Sequence, residues 1–524
     1  MSFNPVFILL LIQVMIYLCE SFVFCKHALL MFQQNRYELY RYSKWLFNRK
    51  NIRFNASYVY GILVIVVSII FKNNLLLVLA LTIIFAIYSL YKEMNKTYIK
   101  DLVLTARVKR QIAVLSILMF LFTLASVIAF PPCVSGILSI IVPYLMIYLM
   151  AVITLPMENL IKKRYENEAR QILDSNSRLI KIGITGSYGK TSTKNIVSDI
   201  ISDDFFTLIT PASYNTPMGI TRTIREMLKP VHEVFVCEMG ADKVGDIEYL
   251  MDFVKPKYGI VTSIGPQHLN TFHSLDNIIN EKMKEVEMLP QDGTAFINLD
   301  NEYIANYRIR NNCKVVSVGI DNKEADLVAE NISYDTNGSS FSVMIDGNEY
   351  EFKISLLGKH NITNVLIGIA LALELGMDIS VIAKKAKRIR QVEHRLEVKK
   401  INGFTFIDDA FNANPVGSKR ALDVLAMMPG QRVIVTPGMI DLGVREDEIN
   451  KAFGSYMLDK ADKVILIGEK QTRKIKEGLL ESGFNEEDII VFSTVKEAFN
   501  YIYSNFTPED TILLENDLPD AFNV

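Results

Sequence analysis

The chain has 524 residues, room for three or four domains, and its 56 basic and 58 acidic side chains leave a net charge of −2. No basic field marks it for nucleic acid. Its five cysteines are scattered, with no CxxC pair and no His/Cys cluster, which argues against zinc and a disulfide framework and fits a reducing cytoplasm.

Half of the residues are hydrophobic, the mean hydropathy is +0.21, and the excess lies before residue 156. Apolar runs at roughly 5–25, 57–71, 75–91, 112–130 and 134–155 predict an α-helical transmembrane domain of about five spans over 1–156. The 57–71 run is short and reads with 75–91 as a tight hairpin. Lysine and arginine crowd into 26–56 and 92–111, while the other two connections carry only Lys72 between them. The positive-inside rule then places the N-terminus outside and everything after about 156 in the cytoplasm. The first run lacks a basic n-region and a small-residue cleavage site, so it reads as a span and not a signal peptide. Glu20 is the charge inside a span.

Residues 157–178 are charged with a helical pattern and read as a linker helix. From 179 the chain alternates strand-like and helix-like runs, with strands at 179–182, 234–237, 258–263, 294–298 and 315–318. This predicts a doubly wound α/β domain with a mostly parallel sheet over 179–399. Residues 326–356 read as a small antiparallel insert turning at Asp346-Gly347-Asn348, followed by a Leu/Ala-rich helix. A second, Rossmann-like α/β domain over 400–524 has strands at 404–407, 432–436, 463–467 and 511–514.

The run Gly183-Ile184-Thr185-Gly186-Ser187-Tyr188-Gly189-Lys190-Thr191-Ser192 joins the first strand to a helix. Strand, glycine turn, Lys-Thr and helix together make a phosphate cradle. Backbone N–H groups of Gly186, Ser187, Gly189 and Ser192 face the anion, Lys190 reaches the outer phosphates and Thr191 offers a hydroxyl to Mg²⁺. Ile184 stands where the strict G-x-x-x-x-G-K-[ST] spacing needs its first glycine, so this is a variant loop. Glu238 ends a central strand beside the loop, where a second metal ligand belongs, although a cap or surface charge is the blander reading. His268 follows the next strand on the same sheet edge. Lys282, on spacing alone, is a solvated lysine. Asn361 and Asn364 in Gly358-Lys359-His360-Asn361-Ile362-Thr363-Asn364 offer the donor and acceptor an adenine edge requires, and Asn361 reads equally well as a helix cap. Asp409 opens the first strand–helix loop of the second domain, where a carboxylate holds ribose hydroxyls or orients an arginine.

T-G-S-Y-G-K-T, Y-N-T-P-M-G at 214–219, E-M-G at 238–240, G-x-x-H at 265–268, G-K-H-N-x-x-N at 358–364, E-H-R at 393–395 and D-x-x-N-A-N-P at 409–415 occur in one order. Together they resemble the Mur ligases, ATP-dependent amide ligases that build the peptidoglycan stem peptide. The N-A-N-P element is most similar to the branch that adds D-alanyl-D-alanine to UDP-N-acetylmuramoyl tripeptide. The resemblance covers about 179–470. It implies that ATP phosphorylates a substrate carboxylate and that an amine attacks the acyl phosphate, giving an amide, ADP and phosphate. It further implies that Lys190 holds the β/γ-phosphates and that Thr191, Glu238 and His268 bind one or two Mg²⁺ ions. Lys282 aligns with a lysine the family carbamylates to make an additional metal ligand. Asn361 and Asn364 would face adenine, Arg395 and Asp409 would close the nucleotide site, and Asn215 would lie near the acceptor carboxylate.

Two departures stand out. A membrane domain occupies the place of the family's UDP-gripping domain, and Leu514-Glu515-Asn516-Asp517 replaces a K-G-S-R-like element. The expectation is therefore a multi-pass enzyme of the bacterial cytoplasmic membrane with its catalytic domains in the cytoplasm. Its partners would be a UDP- or lipid-linked muropeptide carboxylate, an amino acid or dipeptide amine, and membrane lipid. A poly-γ-glutamate-type synthetase and a membrane ATPase or transporter are the alternatives.

Overall fold

The computed structural model describes residues 5–47, 66, 70, 75–95, 101–212, 214–267, 269–335, 338–391, 396–410, 415–439, 442 and 445–516. The chain divides into two compact units, Met1–Arg164 and Tyr165–Val524.

The first unit is helical: α1 (Pro5–Gln34), α2 (Leu39–Leu46), α3 (Leu75–Met94), α4 (Ala106–Ala129) and the start of α5 (Pro132–Ser175). Among the described residues, three helical segments are long and apolar enough to cross a bilayer: Leu11–Gln34, Ala106–Ala129 and Val134–Ser175. Five spans were expected. The 57–71 run falls outside the described residues apart from the helical Val66 and Ile70. The expected last span and linker form one continuous helix, because Pro143 and Pro156 both sit inside α5 without ending it.

Polar contacts join the helices of this unit. Glu20 is fully buried and accepts hydrogen bonds from Ser139 Oγ at 2.6 Å and from Ser89 Oγ. Two turns along α1, His27 Nδ1 lies 2.8 Å from the Tyr144 hydroxyl and 3.2 Å from Glu93. Arg110 grips Glu158 through two N–H···O contacts of 2.8 and 2.9 Å.

In the second unit the first sheet has the order β2-β3-β1-β4-β5-β6-β7-β8-β9. It is built from β1 (Ile180–Thr185), β2 (Thr207–Ile209), β3 (Val234–Glu238), β4 (Tyr258–Val261), β5 (Thr294–Asn298), β6 (Lys314–Gly319), β7 (Leu327–Asp335), β8 (Gly338–Ile345) and β9 (Asn348–Ile354). Pairing is parallel through β7 and antiparallel over β7–β8–β9, so the expected insert continues the main sheet, which is mixed. The inner strands are apolar throughout because helices cover both faces. The helices that matter for the site are α6 (Lys190–Ile201), α7 (Pro217–Met227), α8 (Asp246–Val254), α9 (Leu269–Phe272), α10 (Leu275–Glu287), α11 (Glu302–Ala305), α12 (Lys359–Glu374) and α13 (Ile379–Ala386). One core layer joins Ile196, Val197 and Ile200 of α6 to Ile362, Leu366 and Ile369 of α12. Each such side chain contributes about 1.5–3 kcal/mol on burial. That layer fixes α6, and with it the loop that precedes it.

The second sheet, β10-β11-β15-β12-β13-β14, is parallel except for its β10 edge. Its strands are β10 (Glu397–Ile401), β11 (Phe404–Asp409), β12 (Arg432–Thr436), β13 (Lys463–Ile467), β14 (Ile489–Phe492) and β15 (Thr511–Glu515). Helix α14 (Pro415–Leu425) follows β11. Val424 on α14 lies against Gly358, ahead of α12.

Candidate nucleotide and ligation site

The carboxyl ends of β3, β1 and β4 lie side by side, with Ile184 paired to Glu238 and Thr185 to Val261. The crevice outside such strand ends is where open α/β sheets bind ligands. The 186–189 loop leaves β1 here. Gly186 has φ +147°, and a Cβ on it would stand 2.1 Å from Thr262 Oγ1, so glycine is required both by conformation and by space.

The loop is strapped to the segment after β4. Thr262 Oγ1 donates to the Tyr188 carbonyl at 2.6 Å, and Ser263 Oγ donates to the same oxygen at 3.1 Å. Ser187 N–H donates to the Ser263 carbonyl at 2.6 Å, and the Tyr188 hydroxyl donates to the Pro266 carbonyl at 3.0 Å. Thr262 and Ser263 were not singled out from sequence. Polar residues at a strand end facing a glycine loop are the signal available there.

Gly189 opens α6, and the amide oxygen of Asn364 lies 3.3 Å from where its Cβ would be. Asn364 therefore touches the phosphate loop. Asn361 is also buried and donates from Nδ2 to the Leu357 carbonyl at 2.9 Å, a contact that braces the start of α12. The Lys190 ammonium reaches back over the loop to the carbonyls of Gly186 at 2.6 Å and Ser187 at 3.3 Å. Thr191 and Ser192 form the first turn of α6.

Glu238 is almost completely buried. One of its oxygens is 3.0 Å from Lys194 Nζ, and the other accepts from Asn215 Nδ2 at 2.9 Å. Burial pushes its carboxyl up, but the Lys194 ammonium, the Asn215 amide and the charge of Lys190 outweigh it and leave the group below the usual carboxylate value. Lys194 was not read from sequence as a site residue. It lies one turn after Lys190, on the face of α6 turned to β3.

Lys282 on α10 is 2 % exposed. Burial, reinforced by the nearby charge of Lys190, brings its ammonium down to about 7, against the pull of Glu281, Asp242 and Asp246. Solvation is denied to it, so it is not the surface lysine that spacing alone suggests. Three residues on, Glu285 is fully buried with both oxygens unpartnered, and burial raises its carboxyl to about 8. Its Oε1 fills the space beside Gly183 of β1, 1.9 Å from where a Cβ would be.

In the second domain, Asp409 Oδ1 accepts from Leu396 N–H at 3.1 Å, and Asp409 is paired across the strands with Glu515. Burial first, then the charge of Asp409, pushes the Glu515 carboxyl far up. Arg420 on α14 is within electrostatic reach of Tyr188 in the phosphate loop and of His360. It is another residue that sequence alone did not single out, since its partners are at least sixty positions away. His268 and Arg395 lie outside the described residues. Among the described residues, no group of three or more His, Cys, Asp or Glu side chains gathers as a metal site. The structure thus brings together Gly186, Ser187, Gly189, Lys190, Asn364, Glu238, Asn215 and the electrostatic neighbour Lys282.

Comparison with known proteins bears on this arrangement. Residues 184–372 match the Mur ligase middle domain and 394–515 the Mur ligase glutamate ligase domain. The UDP-N-acetylmuramoyl-tripeptide–D-alanyl-D-alanine ligase of Escherichia coli K12 is 29% identical over 55% of this chain and 64% of its own length. That of Bacillus subtilis 168 is 28% identical over 64% of this chain and 72% of its own length. The chain thus spans less than two thirds of the Escherichia coli relative. The fold is that of MurF from Acinetobacter baumannii, with a TM-score of 0.61 and 24% identity over 68% of this chain and 77% of that one. MurF ligase from Thermotoga maritima, solved in complex with ADP, gives 0.61 at 21% identity over 68% of this chain and 80% of that one. Through its middle and C-terminal domains, this chain belongs to the Mur ligase family.

Proposed function

We propose that the protein is an ATP-dependent amide ligase that serves peptidoglycan precursor synthesis at the bacterial cytoplasmic membrane. Its relatives' names suggest D-alanyl-D-alanine as the amine and a muramoyl tripeptide as the carboxylate. The observation that carries the reading is the shared electrostatics of three residues from three elements: the charge of Lys190 is felt at both Glu238 and Lys282. A cation over a strapped glycine loop, a strand-end carboxylate and a buried low-pKa amine together suit phosphoryl transfer to a carboxylate.

In this mechanism Lys190 swings from the loop carbonyls to the β/γ-phosphates of ATP. Backbone N–H groups of 186–192 hold the phosphates, Asn364 borders them, and Asn361 braces the turn that presents Asn364. Asn215 orients the acceptor carboxylate, which attacks the γ-phosphorus while ADP leaves. The amine then attacks the acyl phosphate, releasing inorganic phosphate and one proton. Arg395 and Asp409 close the nucleotide site from the second domain.

Oxygen donors from Thr191, Glu238 and a carbamylated Lys282, with His268, suit Mg²⁺, which would neutralise charge on the transferred group. Burial of Lys282 supports the carbamylation, because a neutral amine is the form that adds CO₂.

The test is ADP release by the full-length protein in detergent with Mg²⁺. D-alanyl-D-alanine or other small amines would be offered with UDP- or lipid-linked muropeptide, with Lys190→Ala as control. Turnover that needs both an amine and an acceptor supports the reading. Hydrolysis indifferent to both refutes it.

A further inference from the structure

The helical unit contains a groove of about 950 Å³ between α1 and the segment running from Asp101 into α4. Its walls are aliphatic and aromatic, with Leu18, Phe22 and Leu29 on one side and Leu115, Met119 and Phe120 on the other. Along α1 it runs from Leu18 to Leu29, about 16 Å at 1.5 Å per residue. That is roughly half of a ~30 Å hydrocarbon core, the depth of one leaflet.

Among the described lining residues the charged ones are Lys26 and Asp101, and Ser116 adds a hydroxyl on α4. Lys26 is exposed with no ion pair to a described residue. Lys26 and Asp101 belong to the two basic segments, 26–56 and 92–111, that the positive-inside rule turns to the cytoplasm.

A ligase of this type must hold the far end of its acceptor as well as the reacting carboxylate. A nucleotide end calls for hydrogen-bond donors and several charges. The described lining of the groove offers a long apolar wall and one ammonium. We propose that this unit binds the acceptor through a lipid carrier, with a polyprenyl chain in the groove and its phosphate at Lys26. The proposal rests on the ligase reading above for the identity of the cargo, and on the groove alone for the carrier. Asp101 also lines the groove and repels the same phosphate, so the two residues have opposite effects on binding.

The experiment uses full-length protein in nanodiscs of phosphatidylethanolamine and phosphatidylglycerol, with undecaprenyl phosphate as probe and native mass spectrometry or photocrosslinking as readout. Undecaprenyl phosphate is expected to outcompete phosphatidylglycerol. Lys26→Ala should lower its occupancy about fivefold, the effect of one basic residue at a membrane surface. Asp101→Asn should raise occupancy, and Ser116→Trp, which fills the groove from α4, should abolish it. Lys282→Ala should bind the probe like wild type while losing ligation, which separates the carrier site from the chemistry. Equal occupancy by phosphatidylglycerol, or wild-type binding in both Lys26→Ala and Ser116→Trp, overturns the proposal. Acceptor-independent ADP release with intact probe binding overturns the ligase reading instead.

Discussion

Replacing Lys194 by methionine removes the ammonium that faces Glu238 while keeping most of the side-chain stem. At 3.0 Å the gross Coulomb attraction is about 5.5 kcal/mol for an effective dielectric constant of 20. Both side chains are 1% exposed, so water cannot take over as partner. Loss of one member of such a pair costs about 3–5 kcal/mol, because the remaining charge stays buried. Asn215 still donates to one Glu238 oxygen, which places Lys194→Met toward the lower end. For a domain of this size the melting point should fall by roughly 6–15 °C. Circular dichroism of the full-length protein in detergent, during heating and in urea, measures it. Lys194→Met/Glu238→Gln should recover about 1–3 kcal/mol relative to the single variant, since no charge is then stranded. A Lys194→Met protein within about 1 kcal/mol of wild type, or a double variant no better than Lys194→Met, would refute the reasoning.

Lys190→Ala should lower ADP release about 100-fold or more, with an unchanged melting point, because its contacts are to the loop it serves. Gly186→Ala meets Thr262 as well as a forbidden backbone angle, and should raise the KM for ATP and lose about 1–3 kcal/mol of stability in urea. Lys282 should be carbamylated more fully as pH rises. Its folded value of about 7 means the neutral amine grows about tenfold between pH 6 and 8. At fixed CO₂, activity and a ¹³C-carbamate signal should rise together, and a flat profile without that signal counts against the role. Arg420→Ala should raise the KM for ATP about tenfold, Arg420→Lys should restore part of it, and neither should shift the melting point.

The phosphate loop was legible because its residues are contiguous and its chemistry is local. The inner strands were legible as short apolar runs. Lys194 was not, because its meaning depends on Glu238, 44 residues away, and on the parallel register that sets Ile184 beside Glu238. Thr262 and Ser263 were hidden for the same reason, since their partner is a carbonyl, to which sequence assigns no identity. Lys282 drew attention only through resemblance, and its burial comes from the packing of α10 under β1 and β4. Of the five expected spans, three match helices long and apolar enough to cross a membrane among the described residues, and helix ends were not readable: hydropathy falls at 156, whereas the backbone of α5 continues to Ser175. The antiparallel insert was recognised as strands, yet only the β6–β7 pairing reveals that it extends the main sheet.

Gly183 is the first glycine of the run that reads as a phosphate cradle, yet it lies within β1 and its missing side chain makes room for Glu285. A methyl group there would overlap that carboxyl and press on the Met239 side chain, 3.1 Å away, so the buried end of Glu285 would have to turn aside. This glycine therefore reserves the space in which a buried carboxyl lies against the strand that feeds the phosphate loop.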